Sequence, residues 1–367
     1  MKVAYLFGSL TCGGTEILLL DVFKNAANAS FEFIGIHRKG GVLQSDFYET
    51  GQKFFRLSPK FMLDVSYFFK LRKLLKREKI NIIHTQMSLD ALYAWIACLG
   101  TGIKIVQTSH SFDNLNPNKK NKLFSFTAHR IDKNIFVSRY QKDYYIKKYK
   151  LQENRQAVLY NGISFAKFDT TNAVPDFLQK SPSAKLKIAM VGSFMRGRSQ
   201  NVVCKFLKLL RDKNIEFDFY FVGKKVEKEI WRYAECVSYC KENNLEDCVH
   251  FVGSRDDVPA ILKNIDAFVY STDHDTFGIA IVEAIAAGVP VFVNDWGVMK
   301  EITKNGEWAT LYKTKDEQDL LSKFMLFLHN RDEFRSKALE NSCKIKKAYS
   351  IENHIANMNK IYLSLYE

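Results

Sequence analysis

One pattern runs through this chain twice: short apolar runs alternate with longer stretches of helical spacing. The first round has strand candidates at Val3–Gly8, Phe31–His37, Ile80–Thr85, Lys104–Ser109, Asn134–Ser138 and Ala157–Tyr160. The second round has them at Lys187–Gly192, Phe217–Gly223, Val249–Gly253, Ala267–Ser271 and Val289–Asn294. Strands that are buried on both faces and joined by helices form parallel sheets. The pattern therefore predicts an α/β chain of two Rossmann-like, doubly wound domains that face a cleft.

The periodicity breaks between the two rounds, at residues 164–184, where Ser, Thr, Asn and Pro are concentrated. A length of 367 residues also suits two domains of ordinary size. We predict a first domain over residues 1–165, a linker over 166–184 and a second domain over 185–348. Residues 349–367 should form a C-terminal helix that crosses back to the first domain.

The chain shows none of the usual signs of export. The apolar run after Met1 is only a few residues long and leads into a glycine-rich segment, which is typical of a strand and not of a signal peptide. The seven cysteines are odd in number and scattered. We therefore expect a cytoplasmic protein with reduced thiols and no bound metal.

Positive charge is concentrated in the first domain. Residues 1–165 contain 25 Lys and Arg against 12 Asp and Glu, whereas the remainder contains 29 against 28. Such a charge distribution is typical of binding to anionic lipid, a phosphorylated acceptor or nucleic acid, and also of an ordinary lysine-rich surface. No nucleic-acid-binding module accompanies the charge, so we expect no nucleic-acid partner.

A glycine-rich segment, residues 8–16, follows the first strand candidate and contains Gly13 and Gly14. Glycines at a strand-to-helix turn let the backbone approach a phosphate, and the helix start offers free N–H groups. The segment does not match the dinucleotide fingerprint, and Arg38 stands where an acidic residue would bind a ribose. It indicates either a phosphate-binding loop or a purely structural turn.

The most informative block runs from Asp273 to Asp295, through a strand end, a Phe-Gly helix start and a second strand. Asp275 precedes the predicted helix and Glu283 lies about one and a half turns inside it. The backbone N–H groups of Phe277, Gly278 and Ile279 should point toward an anion, while the two carboxylates accept hydrogen bonds from hydroxyl groups. This combination suits a sugar diphosphate.

Five further segments accompany this block: residues 107–110, 159–163, 191–198, 249–253 and 257–258. Together the six resemble the motifs of the large retaining glycosyltransferase family GT4, with its E-x7-E signature and GT-B fold. The similarity extends over nearly the whole chain. It implies transfer of a hexose from a nucleotide sugar, UDP- or GDP-linked, to a glycan or lipid-linked acceptor in cell-surface polysaccharide assembly.

The resemblance also implies roles for individual residues. Glu283 would bind the ribose hydroxyls, Asp275 the transferred sugar, and Arg198 the diphosphate; His110 would hydrogen-bond the donor sugar. The remaining donor contacts implied by the family are Gly13, Gly14, Ser193, Arg196, Gly253, Phe277, Gly278 and Ile279. No cofactor is implied beyond the nucleotide-sugar substrate itself.

The chain departs from the family pattern at two positions. Asp275 replaces the first Glu of the signature and is one methylene shorter, and Ser193 replaces an Arg. Arg196 could supply the missing charge. Asp273 and Asp275 also form a D-x-D pair, which binds metal in another glycosyltransferase architecture. Because this pair leads straight into the Phe-Gly helix start, we expect charge compensation from Arg198 and helix N–H groups, without a metal.

Residues 61–77 combine aromatic side chains with a cationic face. They indicate either a helix that binds an anionic membrane surface or an ordinary amphipathic crossover helix. We expect a peripheral protein at the inner membrane face that acts on a polyprenyl-diphosphate-linked glycan. Two alternatives stay open at this point: a catalytically silent GT-B partner protein and a nucleotide-sugar epimerase. The donor base and sugar cannot be read from the sequence.

Overall fold

The computed structural model describes residues 1–112, 119–170, 173–180, 182 and 185–367. The chain forms two compact units. The first unit comprises Met1–Ile163 and Tyr349–Glu367, and the second comprises Ser164–Ala348. Part of the predicted linker, at residues 171, 172, 181, 183 and 184, lies outside the described residues.

The first unit contains a seven-stranded sheet whose neighbouring strands are all parallel, in the order β3-β2-β1-β4-β5-β6-β7. Its strands are β1 Lys2–Phe7, β2 Glu32–His37, β3 Lys53–Arg56, β4 Ile82–Thr85, β5 Lys104–Ser109, β6 Lys133–Phe136 and β7 Gln156–Val158. The crossover helices are α1 Gly14–Lys24, α2 Gln44–Tyr48, α3 Val65–Arg77, α4 Ser88–Cys98, α5 Lys119–Ala128 and α6 Arg139–Tyr149. Short 3-10 turns at Ala26–Asn28 and Glu153–Arg155 complete the connections.

The second unit repeats this topology with six parallel strands in the order β10-β9-β8-β11-β12-β13. Its strands are β8 Leu186–Val191, β9 Phe217–Val222, β10 Val249–Gly253, β11 Ala267–Tyr270, β12 Val291–Asn294 and β13 Thr310–Tyr312. Its helices are α7 Ala166–Thr170, α8 Asp176–Gln179, α9 Gln200–Asp212, α10 Ile230–Glu242, α11 Val258–Lys263, α12 Ile279–Ala286, α13 Gly297–Ile302, α14 Glu317–His329 and α15 Arg331–Tyr349. A 3-10 turn at Glu227–Glu229 precedes α10.

The last helix, α16 (Ile351–Leu363), belongs to the first unit. Alternate side chains of β1 explain how that unit is packed. Val3, Tyr5 and Phe7 face a cluster that contains the apolar residues of α1 and α16, whereas Ala4 and Leu6 face a second cluster with α3 and α4. The sheet is thus covered on both faces, as the unbroken apolar strands require. The predicted pair of doubly wound domains is confirmed.

In both sheets the strand order reverses once, between β1 and β4 and between β8 and β11. Ligands of doubly wound sheets bind outside the carboxyl ends of the strands at this reversal. Ligand-binding residues are therefore expected in the loops that follow β1, β4, β8 and β11. None of the helices in the described part of the chain is both long enough and apolar enough to cross a bilayer.

Candidate nucleotide-sugar site

In the second unit the loop after β8 and the segment after β11 are hydrogen-bonded to each other. The Ser199 N–H donates to the Ser271 carbonyl at 3.0 Å, and Arg198 and Thr272 form an isolated antiparallel bridge. Gly197 has a φ of +89°, and a Cβ there would lie 2.7 Å from His274 Cβ, so this crossing needs glycine. The close approach of two segments far apart in sequence places Arg198 beside Asp275.

Arg198 and Asp275 form an ion pair between Nη1 and Oδ1. Tyr270, the last residue of β11, donates its hydroxyl hydrogen bond to the other carboxylate oxygen of Asp275 at 2.7 Å. Burial opposes the charge of Arg198, but the neighbouring carboxylate outweighs it and raises the pKa of the guanidinium. Arg198 is therefore a fixed positive charge at the strand ends of the second sheet.

The turn that carries Asp275 is fixed by its own backbone contacts. Thr272 Oγ1 donates to the Gly197 carbonyl at 2.5 Å and accepts from the Asp275 N–H at 3.3 Å. Asn294 holds the same turn from β12, since its amide bonds both the N–H and the carbonyl of Thr272 at 2.8 and 2.7 Å. Trp296 Nε1 donates to the Asp275 carbonyl at 3.2 Å. The carboxylate thus stands on a rigid support.

The helix after this turn, α12, begins at Ile279, as the sequence predicts. Gly278 is its N-cap residue with φ +88°, a conformation that L side chains rarely adopt. Phe277 is buried beneath the turn. A glycine in this position leaves the first N–H groups of the helix uncovered by a side chain, which is the arrangement that binds phosphate groups. Glu283 lies in the middle of α12 and is half-buried.

The other predicted donor residues of this unit lie in nearby loops. Ser193 contributes its carbonyl to Gln200 Nε2 at 3.1 Å, and the Arg196 N–H donates to Glu229 Oε2 at 2.6 Å. The Nη2 atom of Arg196 is buried and has no hydrogen-bond partner among the described residues. Gly253 ends β10 with φ +75°, and a Cβ there would point into open space. Whether Arg196 replaces the charge missing at Ser193 stays a prediction.

In the first unit, Gly13 is the N-cap residue of α1 and Gly14 is its first residue. The carboxylate of Glu16 lies close to this helix start, since a Cβ on Gly13 would come within 2.6 Å of Glu16 Oε2. His110 follows β5 and hydrogen-bonds Gln86 Oε1 through Nε2 at 2.7 Å. Both groups lie at the carboxyl edge of the first sheet, where the topology places a ligand site.

A small cavity of the first unit is lined on its polar side by His84, Gln86, Thr108, His110, Asn161 and His354. His84 is buried, 2.5 Å from the Tyr362 hydroxyl and 2.7 Å from Thr108 Oγ1. Burial lowers the pKa of His84 to about 3 and those of His110 and His354 to about 4, and neighbouring histidines add to the shift of His84 and of His110. All three are neutral at physiological pH.

No group of three His, Cys, Asp or Glu side chains able to hold a metal occurs within the described ranges. Asp273, the other half of the D-x-D pair, forms an ion pair with Lys315 at 3.1 Å. Its partner Asp275 is occupied by Arg198 and Tyr270. Asp273 is therefore paired with one cation, and Asp275 with another cation and a hydroxyl group.

Two family models cover most of the chain between them. Glycosyltransferase Family 4 matches residues 12–167, and Glycosyl transferases group 1 matches residues 175–344. The chain belongs to the GT4-type glycosyltransferases. The first model covers strands β2 to β7 of this glycosyltransferase, and the second covers the segment that carries Arg198, Asp275 and Glu283.

Individual relatives agree with the family. The chain is 24% identical to UDP-Gal:alpha-D-GlcNAc-diphosphoundecaprenol alpha-1,3-galactosyltransferase of Escherichia coli, over 100% of this chain and 97% of the relative. A 162-residue stretch is 32% identical to an N,N'-diacetylbacillosaminyl-diphospho-undecaprenol alpha-1,3-N-acetylgalactosaminyltransferase of Campylobacter jejuni, covering 43% of this chain and 38% of that one.

Among solved structures, Anabaena HepE in complex with UDP and glucose superimposes with a TM-score of 0.84 at 17% identity, over 99% of this chain and 100% of that one. This likeness shows that the GT4-type chain has the GT-B fold predicted from its sequence.

Sequence reasoning missed Tyr270, Thr272 and Asn294, the three residues that hold Asp275 and its turn. Tyr270 lies within an apolar run and passes for an ordinary strand residue. The available signal was its hydroxyl, because a buried tyrosine usually hydrogen-bonds a partner. Asn294 offered a similar signal, as an amide at the end of an otherwise apolar strand.

Proposed function

We propose that this glycosyltransferase transfers a hexose from a nucleotide-diphosphate sugar, with retention of configuration, to a glycan or lipid-linked acceptor in cell-surface polysaccharide assembly. The observation that carries the proposal is the arrangement at the carboxyl edge of the second sheet. There, the buried Asp275 is paired with a half-buried Arg198 directly before the start of α12, and Glu283 follows inside that helix. Cation, helix N–H groups and carboxylates are the groups that a sugar diphosphate requires.

In this proposal the second unit binds the donor. Arg198 and the N–H groups at Phe277, Gly278 and Ile279 bind the diphosphate, Asp275 the sugar, and Glu283 the ribose hydroxyls. Ser193, Arg196 and Gly253 line the nucleotide side. Gly13, Gly14 and His110 of the first unit contribute to the same reaction, with His110 hydrogen-bonding the donor sugar as a neutral imidazole. A uridine nucleotide is the donor that the Escherichia coli galactosyltransferase and HepE support.

The chemistry follows from where charge develops. When the glycosidic bond to the diphosphate breaks, negative charge grows on the leaving oxygen, and Arg198 with the α12 N-terminus stabilises it there. The acceptor hydroxyl attacks the same face of the sugar and passes its proton to the departing diphosphate oxygen, so the configuration is retained. The contribution of the protein is positioning and electrostatics, and we propose that it needs no metal.

The donor assignment is tested at Glu283. We expect Glu283→Ala to lower turnover of the preferred nucleotide sugar at least tenfold and to weaken binding of UDP by a similar factor, since a carboxylate bound to two hydroxyls contributes about 1.5–3 kcal/mol per bond. Donor hydrolysis and calorimetric titration with UDP measure the two effects.

Glu333→Ala, an exposed change on α15, is the matched control and should leave both quantities within twofold of wild type. Normal UDP affinity and turnover in the Glu283 variant would remove the ribose assignment. A wild-type protein that neither binds nor hydrolyses UDP- or GDP-sugars would overturn the proposed function itself.

The surface of α3 supports the proposal of a lipid-linked acceptor. Its inner face packs Tyr67, Leu71, Leu74 and Leu75 into the core. The side chains that precede it and lie on its outer face are apolar and 52–69% exposed, namely Phe61, Met62, Leu63, Val65 and Phe69. Lys60, Lys70 and Lys73 are exposed beside them. We call this surface the α3 patch.

Exposed aromatic and aliphatic side chains ringed by lysines match the interface of an anionic bilayer. We therefore propose that the α3 patch holds the protein peripherally on the inner membrane face, where a polyprenyl-diphosphate-linked acceptor would be reached. The Escherichia coli and Campylobacter jejuni relatives both act on diphosphoundecaprenol-linked sugars, which supports this choice of acceptor.

Membrane binding is expected to need both the apolar and the basic parts of the patch. Wild-type protein should float with vesicles that contain phosphatidylglycerol at low salt, and a Phe61→Ser/Phe69→Ser double variant should float at least about fivefold less, because each buried CH2 contributes about 0.8 kcal/mol.

Leu326→Ser, an exposed leucine of α14 in the second unit, is the control and should float like wild type. Equal recovery of wild type with neutral and anionic vesicles would contradict the proposed membrane surface.

A further inference from the structure

Tyr270 belongs to the candidate site but is not part of the family signature. It ends β11, is 1% exposed, and donates its hydroxyl hydrogen bond to Asp275 Oδ2 at 2.7 Å. Arg198 contacts the other oxygen, Oδ1. Each oxygen of the short Asp275 side chain thus has one fixed partner, on a different residue.

The tyrosine ring also contacts the cation. The guanidinium carbon of Arg198 lies 5.4 Å from the centroid of the Tyr270 ring, within the range of a cation–π contact. The Nε atom of Arg198 is buried and lacks a hydrogen-bond partner within the described part of the chain. Tyr270 therefore touches both charged members of the pair and sets the orientation of each.

What this contact prevents follows from the geometry of arginine–carboxylate pairs. Arginine–carboxylate pairs are frequently bidentate, with the two carboxylate oxygens bonded to two N–H groups of the guanidinium. A bidentate pair would occupy a second edge of Arg198 and rotate Asp275 away from a sugar. A hydroxyl that is hydrogen-bonded to Oδ2 prevents this rotation and leaves N–H groups of the guanidinium available to other partners.

We propose that Tyr270 is a positioning residue for sugar transfer: it keeps the Asp275–Arg198 pair monodentate, so that Asp275 is oriented toward the donor sugar and Arg198 keeps N–H groups for the diphosphate. This inference is built on the proposed function. Tyr270 acts through Asp275 and does not itself touch the substrate.

The opposing explanation is that Tyr270 is an ordinary core tyrosine whose loss only weakens the fold. Tyr312 allows the two to be separated. It is equally buried, lies in the same sheet at the end of β13, and donates its hydroxyl hydrogen bond to the backbone carbonyl oxygen of Tyr270 itself at 2.8 Å. Tyr312→Phe therefore removes a buried hydroxyl of the same kind without removing a partner of Asp275.

The first measurement compares Tyr270→Phe with Tyr312→Phe. The nucleotide sugar is chosen from UDP-glucose, UDP-galactose, UDP-N-acetylglucosamine and GDP-mannose as the one that wild type binds and hydrolyses best. We expect Tyr270→Phe to lower kcat about tenfold and to raise the Kd of the free nucleoside diphosphate about threefold, because Arg198 then keeps fewer N–H groups for the diphosphate. Tyr312→Phe should stay within twofold of wild type in both quantities, and the two variants should have similar melting temperatures.

The second measurement asks whether Tyr270 acts through Asp275. In an Asp275→Ala background, Tyr270→Phe should change nucleotide-sugar affinity and turnover by less than twofold, because the carboxylate that the hydroxyl holds is absent. A merely structural tyrosine would lower activity by the same factor in both backgrounds.

The outcomes separate the two proposals. If wild type binds and hydrolyses a nucleotide sugar but Tyr270→Phe behaves like Tyr312→Phe, or loses the same tenfold with and without Asp275, the role of Tyr270 is wrong and the function stands. If wild type neither binds nor hydrolyses any of the four donors, the proposed function fails and the role of Tyr270 fails with it.

Discussion

We expect Arg198→Ala to lower kcat for donor hydrolysis about a hundredfold, the largest loss of any single change in the second unit. Removing one preorganised charge that stabilises a developing oxyanion costs catalysis about 10²–10³-fold. The side chain of Asp275, only 10% exposed, would also lose its cation. The measurement is steady-state hydrolysis of the preferred nucleotide sugar.

Two further variants separate charge from folding. Arg198→Lys keeps the cation but lacks the planar fork, so about a tenfold loss is expected. Arg198→Ala with Asp275→Asn removes the orphaned carboxylate and should restore the melting temperature without restoring turnover. If Arg198→Ala hydrolyses the donor at close to the wild-type rate, the guanidinium does not bind the diphosphate.

Acidification is expected to destabilise the first unit steeply between about pH 6.5 and pH 4. Burial lowers the pKa of His84 to about 3 and those of His110 and His354 to about 4, whereas the unfolded chain binds protons near 6.5. Between those values the unfolded state carries more protons, so stability falls as pH falls. Above pH 6.5 neither state is protonated and these histidines cause no pH dependence.

The expected slope is up to about 1.4 kcal/mol per pH unit for each histidine. Urea unfolding at several pH values, followed by circular dichroism, measures it. His84→Asn should reduce the slope by roughly 1.4 kcal/mol per pH unit, the contribution of one proton. His329→Asn, an exposed change in the second unit, should leave the slope as in wild type. An unaltered slope in the His84 variant would mean that this histidine does not stay neutral in the folded protein.

Most of the fold could be predicted because its strands are buried on both faces. Val3, Ala4, Tyr5, Leu6 and Phe7 are all buried, and such a short unbroken apolar run is typical of a strand inside a covered sheet. The predicted first strand, Val3–Gly8, agrees with β1 to within one residue at each end.

Two short strands were missed for a physical reason. Strand β3 forms the edge of the first sheet and has only four residues, whose outer two are exposed. Strand β13 forms the edge of the second sheet and has three residues. A strand that pairs on one side only, over so few residues, leaves too little periodicity to detect.

The residues of the site could be predicted from the sequence, but the contacts between them could not. Spacing along α12 placed Glu283 inside the helix and Asp275 before it, because both depend on local structure. The contact between Arg198 and Asp275 depends on how the loop after β8 crosses the turn after β11, and nothing local specifies that crossing. The role of Tyr270 depends on the same crossing and was missed for the same reason.

The return of α16 has a consequence for how the chain acquires its structure during synthesis. Ile351, Ile355, Met358 and Tyr362 lie in the same apolar cluster as Val3 and Tyr5 of the first strand. The ribosome makes residues 1–163 first, yet their core lacks these four side chains until the end of the chain emerges. The second unit is continuous in sequence and can close earlier. The part of the protein that is translated first is thus the part that is completed last.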